Sequence, residues 1–260
     1  MITEKIIRTI NTAADKAGVI LNKYYRKANT IVSKDDNSLV TLADQQAERI
    51  IRETILENFP DHGIIGEEES TVNPNSDYMW IVDPIDGTDS YILGRPLFCI
   101  LIGLFYKGEA IFSLVDQPFT NERWTAYNNK SIYNKDTIIK TSGKKSLQDT
   151  KIILSSPYLF ENKTNFIKDI RNQAKIVAWE AEAYAFGLLA MGSIDIVIKP
   201  MLDTYDYLPV IKLIQNSGGA IAAANGDTLT MDYTGDIIAT SSKELLDDII
   251  KIYNYEEILQ

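Results

Sequence analysis

The sequence predicts a layered α/β protein whose first half has α+β character. Three observations carry this reading: two amphipathic helical patterns come before any strand, a block of long apolar strands follows, and helices then alternate with strands to the end. At 260 residues, with 45% hydrophobic and 24% charged content, the chain can bury a substantial core and has no compositionally disordered stretch. One large domain or two compact lobes fit that length.

Ile6, Ile10, Ala14, Ala17, Leu21 and Tyr24 recur near helical spacing and predict a long first helix with one apolar stripe. A second helix follows Val40, with Thr41 as its cap, Asp44 in its first turn, Ala47, Ile51 and Ile55 four apart, and Pro60 ending the pattern. Beyond "FPDHG" come strands in "YMWIVDP", "LFCILIGLFYKGEAIFSLVD" and "ERWTAY". Lys107-Gly108 divides the long apolar run into two antiparallel strands joined by a tight turn.

Hydrophobic periodicity lapses over 128–150, which places a boundary between an N-terminal lobe, 1–145, and a C-terminal lobe, 146–260. After "KIILSS", helices expected over 160–170, 180–190, 208–217 and 243–253 alternate with strands in "KIVAW", "IDIVIK" and "DIIAT".

Thirty-six acidic against 26 basic residues give a formal charge of -10, a field that repels nucleic acid and anionic membranes. The basic stretch "IIKTSGKK" reads as a solvated connection. Cys99 is the sole thiol and lies in "LFCILIGL", where it reads as a small buried hydrophobe. No apolar run is long enough to span a bilayer, and the N-terminus lacks a signal-peptide core, so the expected location is cytoplasmic.

Two acidic pieces carry the chemistry: "GEEES" at 66–70 and "DPIDGT" at 83–88. In the second, Pro84 restricts the backbone and the aspartates are three apart, so both carboxylates can meet at one point if the chain turns there. Crowded carboxylates are unfavourable without a compensating cation, and oxygen ligands lacking histidine or cysteine favour Mg²⁺ or Mn²⁺ over Zn²⁺. Gly87 and Thr88 would open a helical turn whose free amides face an anion, an arrangement suited to a phosphate monoester. Taken alone, "DPxDG" also fits a calcium-binding or merely polar turn, and "GEEES" a solvated loop.

"GEE", "WIVDPIDGT" and the aspartate of "YDYLPV" resemble the inositol monophosphatase family, over essentially the whole chain. That resemblance implies the αβαβα sandwich of the inositol monophosphatase and fructose-1,6-bisphosphatase type, and a homodimer. It also implies hydrolysis of small phosphate monoesters by a metal-activated water, with two or three Mg²⁺ per site and Mn²⁺ as a substitute. Carried onto this chain, the metal ligands are Glu67, Asp83, the Ile85 carbonyl, Asp86 and Asp206, with Glu68 in the outer shell. Glu67 and Thr88 activate the water, Asp44 supports Thr88, and the Gly87 and Thr88 amides hold the phosphate.

Within the family, "GRPLF" and "DQP...ERW" look like the histidinol-phosphate phosphatase branch, which implies cleavage of histidinol phosphate to histidinol and phosphate. There Glu182 would face the substrate ammonium. Separately, of the aromatic residues Trp179, Tyr184, Tyr205 and Tyr207 that could wall a pocket, Tyr205 is placed near substrate. Lys199 departs from the pattern: relatives commonly carry glutamate there, and a cation would repel an amine and favour hydroxyls or a second anionic group. Inositol monophosphate is therefore the alternative substrate, and a non-catalytic protein- or RNA-binding scaffold is the alternative of another class.

Overall fold

The computed structural model describes residues 2–27, 31–33 and 39–254, with backbone alone at 31–33 and 39–41. Helix α1 (Glu4–Tyr24) begins where the Thr3 side chain accepts from the Ile6 amide, and it buries the expected stripe. Strands β1 (Ile31–Ser33) and β2 (Leu39–Thr41) pair antiparallel and lead into α2 (Leu42–Asn58). The expected Thr41 cap concerns a side chain outside the described residues.

Next come β3 (Gly63–Gly66), β4 (Tyr78–Asp86), the short α3 (Thr88–Ile92), β5 (Cys99–Tyr106) and β6 (Glu109–Gln117). Lys107 and Gly108 sit at φ 50° and 82°, the paired left-handed residues of a primed hairpin turn that sets Tyr106 opposite Glu109. Strand β7 (Glu122–Tyr127) follows, then β8 (Lys130–Tyr133) and β9 (Thr137–Ile139). The polar segment after 128 thus carries two more strands, of four and three residues, too short to announce themselves by periodicity.

These seven strands form one sheet in the order β3-β4-β5-β6-β7-β8-β9. A second sheet has five strands, in the order β11 (Ile176–Trp179), β10 (Lys151–Leu154), β12 (Ile196–Leu202), β14 (Gly235–Thr240), β13 (Ala220–Ala223). Its helices are α4 (Thr164–Gln173), α5 (Tyr184–Ala190), α6 (Thr204–Tyr207), α7 (Ile211–Asn216) and α8 (Lys243–Tyr253). Three expected helices are shorter than the sequence suggested. The first is a 3-10 turn at Pro157–Phe160 followed by α4, and the third is split by the 3-10 turn Leu208–Val210, where Pro209 withholds an amide. The second starts at Tyr184 because Glu180 and Glu182 sit at φ 55° and 45°, outside helical space.

Alternation along the strands builds five layers. Trp80, Val82, Ile100, Ile102, Phe112 and Leu114 face α1 and α2. Their neighbours Cys99, Leu101, Val115, Trp124 and Ala126 pack on α5 and α7, which meet Val197 and Ala239 of the second sheet. The opposite face of that sheet, with Ile152, Ile196 and Ile238, packs on α4 and α8. The result is the αβαβα sandwich. Among the described residues no helix is long and apolar enough to cross a membrane.

Candidate active site

Strand β4 runs hydrophobic from Met79 to Val82 and ends in the acidic motif. The chain does not turn there as the sequence suggested; a β-bulge does the work instead. Asp83 lies opposite Leu101 and Asp86 opposite Cys99, so three steps on β4 span two on β5. In a regular strand, residues three apart point to opposite faces, and the one extra residue restores a common side. Pro84 suits the bulge because it has no amide to give the ladder. The Ile85 amide donates to Asp83 Oδ1 at 2.9 Å.

The third carboxylate arrives from α6, which follows β12 of the second sheet. Asp203 caps α6 in a reciprocal box: its side chain accepts from the Asp206 amide, and Asp206 Oδ2 accepts from the Asp203 amide at 2.8 Å. One oxygen from each of Asp83, Asp86 and Asp206 then lies within 4.8 Å of the others. Burial raises the Asp83 carboxyl well above its ordinary range, with the charges of Glu67, Asp86, Asp206 and Asp44 adding to the effect. Burial likewise pushes Asp86 up to about 6, against the pull of Lys199, and Asp206 up to about 8, helped by Asp86 and Glu67. A set of crowded carboxylates with no imidazole or thiolate fits a hard divalent cation such as Mg²⁺. The single histidine is engaged elsewhere: His62 stacks between Phe59 and Tyr78 and accepts from Trp80 Nε1 at 3.0 Å, at the start of β4.

Glu67 follows directly on β3, half-buried, and its charge acts on Asp83 and Asp206. Gly87, at φ 89°, turns the chain from β4 into α3, and a Cβ there would come within 2.5 Å of the Glu182 side chain. The Thr88 hydroxyl lies 3.3 Å from both Asp44 Oδ1 and the Ile85 carbonyl. Asp44 is fully buried in the first turn of α2. The Tyr205 hydroxyl donates to Asp203 Oδ2 at 3.1 Å, and burial followed by the charges of Glu67 and Asp206 raises its pKa.

Glu182 is neither in a helix nor an open carboxylate. Its Oε1 accepts from the Ser90 hydroxyl at 2.9 Å, and its Oε2 stands 3.7 Å from Lys199 Nζ. The left-handed turn at Glu182 delivers the Ala183 amide to Asp86 Oδ2. Lys199, on β12, is 6% exposed. Sequence reasoning passed over Asp203, Ser90, Glu48 and Arg52. Glu48 accepts the Glu68 amide at 2.7 Å and the Glu69 amide at 3.0 Å. The available signal was their spacing, an acid and a base four apart and one step beyond the stripe residues Ala47 and Ile51.

A five-layer αβαβα fold that gathers carboxylates at the end of a buried strand defines a metal-dependent phosphoric monoester hydrolase. The sequence signature of the inositol monophosphatase family matches residues 3–256, and the chain belongs to that family. It is 38% identical over 234 residues to the bifunctional phosphatase IMPL2 of Arabidopsis thaliana, covering 89% of this chain and 68% of that one. It is 28% identical to a histidinol-phosphatase of Chlorobaculum parvum, covering 88% and 90%. An inositol monophosphatase from Zymomonas mobilis superposes with a TM-score of 0.84 at 29% identity, covering 95% of this chain and 97% of that one.

Proposed function

We propose that the enzyme hydrolyses a small hydroxyl-rich phosphate monoester of the inositol monophosphate type. The observation that carries this choice is the Lys199–Glu182 contact at 3.7 Å, because a carboxylate already facing an ammonium is a poor receptor for a second one. Likeness to the Zymomonas mobilis inositol monophosphatase supports the same reading. Histidinol phosphate is the second reading, favoured by the Chlorobaculum parvum relative and by the presence of Glu182 itself.

In this proposal Asp83, Asp86, Asp206, Glu67 and the Ile85 carbonyl hold the cations, and Glu68 lies behind them. Two or three bound Mg²⁺, or Mn²⁺ as a substitute, would neutralise the carboxylates and act as Lewis acids on the phosphoryl oxygens. The Thr88 hydroxyl directs its proton to Asp44 and offers a lone pair to the attacking water, whose proton passes toward Glu67 as the ester P–O bond breaks and the departing alkoxide takes a proton from solvent. Amides of Gly87 and Thr88 open α3 without helical acceptors and hold the phosphate. Glu182, Lys199 and Tyr205 contact the organic part of the ester. A homodimer is proposed from the family resemblance, checked by light scattering. The lobe division at 145/146 is proposed because each sheet draws its strands from one side of it.

Phosphate release from purified protein with Mg²⁺ tests the reading. We expect a higher kcat/KM for inositol 1-phosphate than for histidinol phosphate, and loss of both activities on chelation or with Asp86→Asn. The reverse preference would install histidinol phosphate as the substrate. Turnover indifferent to chelation and to Asp86→Asn would overturn the site.

A further inference from the structure

The loop that carries Glu67 has an unusual support. Strand β3 ends at Gly66, and the three consecutive glutamates 67–69 lie in the loop between it and Val72, which bridges back to Ile64. Left alone, adjacent carboxylates next to a buried aspartate cluster repel one another and swing into solvent. Beneath them on α2 lies a buried ion pair, Glu48 at 0% and Arg52 at 4% exposure, with Arg52 Nε 2.7 Å from Glu48 Oε1.

That pair spends its remaining valence on the loop backbone. Glu48 accepts from the amides of Glu68 and Glu69 at 2.7 and 3.0 Å. Arg52 donates through Nη2 to the Glu69 carbonyl at 2.7 Å and through Nη1 to the Ser70 carbonyl at 3.0 Å. Donors and acceptors of three successive residues are thus gripped by one rigid carboxylate–guanidinium unit. The approach is so close that a Cβ on Gly66 would lie 2.3 Å from Glu48 Oε1 and 2.6 Å from Arg52 Nη2. Burial pushes the Glu48 carboxyl upward, while the Glu68 amide and Arg52 hold it down. A surface pair would not need this many bonds; a buried one is retained only where its partners are all satisfied.

We propose that Glu48 and Arg52 are positioning residues: they clasp the 66–70 loop so that Glu67 is held facing Asp83 and Asp206, and thereby set the affinity of the site for its cation. The proposal rests on the reading of Glu67 as a cation ligand.

Mn²⁺ binding to the full chain, followed by electron paramagnetic resonance, is the test. Glu48→Gln keeps the shape but turns an amide donor toward donors of the loop or of Arg52. We expect Mn²⁺ affinity to weaken by about 10- to 100-fold, the usual penalty for losing an outer-shell partner. Circular dichroism should stay that of the parent, and kcat should recover at saturating Mn²⁺. Gly66→Ala lifts the same loop from the other side without changing any charge. It should give the same weakening, and it carries the test if Glu48→Gln fails to fold. Parental Mn²⁺ affinity in a folded Glu48→Gln or Gly66→Ala protein would overturn the clasp. Failure of the underlying reading looks different: Glu67→Gln would then bind Mn²⁺ as tightly as the parent chain.

Discussion

A lysine ammonium that is 6% exposed beside a carboxylate changes what that carboxylate can recognise. With Lys199 Nζ 3.7 Å from Glu182 Oε2 and the Ser90 hydroxyl on Oε1, both oxygens of Glu182 are engaged before substrate arrives. Lys199→Met removes the competing ammonium with little change of volume. A hydrogen bond to a charged group is worth about 1.5–3 kcal/mol, so the kcat/KM ratio of histidinol phosphate over inositol 1-phosphate should rise roughly 10- to 100-fold. An unchanged ratio, measured in the same phosphate-release assay, would remove the ion pair from specificity. At this scale the sequence was uneven. Asp83 and Asp86 were legible because their spacing beside Pro84 is local, whereas the approach of Asp206 came only through family resemblance. The backbone at Glu182 was not legible, because "EAEAYAFG" has the composition of a helix and conceals two left-handed residues. A positive φ in a glutamate has no sequence signature; here it goes with the delivery of the Ala183 amide to Asp86.

Elements of this fold are positioned by close contacts that a sequence does not advertise. Helix α5 lies on β7 at Gly187, where an added Cβ would meet the Trp124 ring at 2.7 Å. That ring is fully buried and faces Tyr184 edge-on at 5.3 Å, so it has no direction in which to yield. Gly187→Ala should therefore destabilise: overpacking costs about 1–3 kcal/mol, against a gain of about 1 kcal/mol in helix propensity. The net cost of up to about 2 kcal/mol, at roughly 2–4 °C per kcal/mol, should lower the melting temperature by up to about 8 °C, and a higher value in a thermal melt would refute the contact. Long periodic elements were readable, as with α1 and the β5–β6 hairpin. Strands β8 and β9, and the four-residue strand β13 with only alanine and isoleucine, were not. Their pairing is decided by neighbours in the sheet rather than by their own pattern. The bulge at Asp83–Asp86 belongs to the same class, since Pro84 fits a turn and a bulge equally well.

For the whole molecule, the electrostatic cost of the acidic cluster makes folding, cation binding and pH one problem. An unfolded aspartate titrates near 3.9, while burial holds Asp86 at about 6 against the pull of Lys199, and burial with neighbouring carboxylates holds Asp206 at about 8 and Asp83 well above the usual range. Raised folded values mean that the native state keeps protons the unfolded chain has already released. Their stabilisation is complete below pH about 4 and is lost as pH rises through about 6 and then about 8. A divalent cation replaces those protons, so its binding releases them and becomes tighter over the same range. We expect the difference in melting temperature between protein in excess Mg²⁺ and protein in a chelator to widen from pH 5 to pH 9. Asp206→Asn, which removes the upper titration and one ligand, should flatten the dependence above pH 7 and narrow the difference throughout. A gap that stays constant with pH in the parent chain would mean that the carboxylates are ionised without their cation and that the cluster is not the folding liability described.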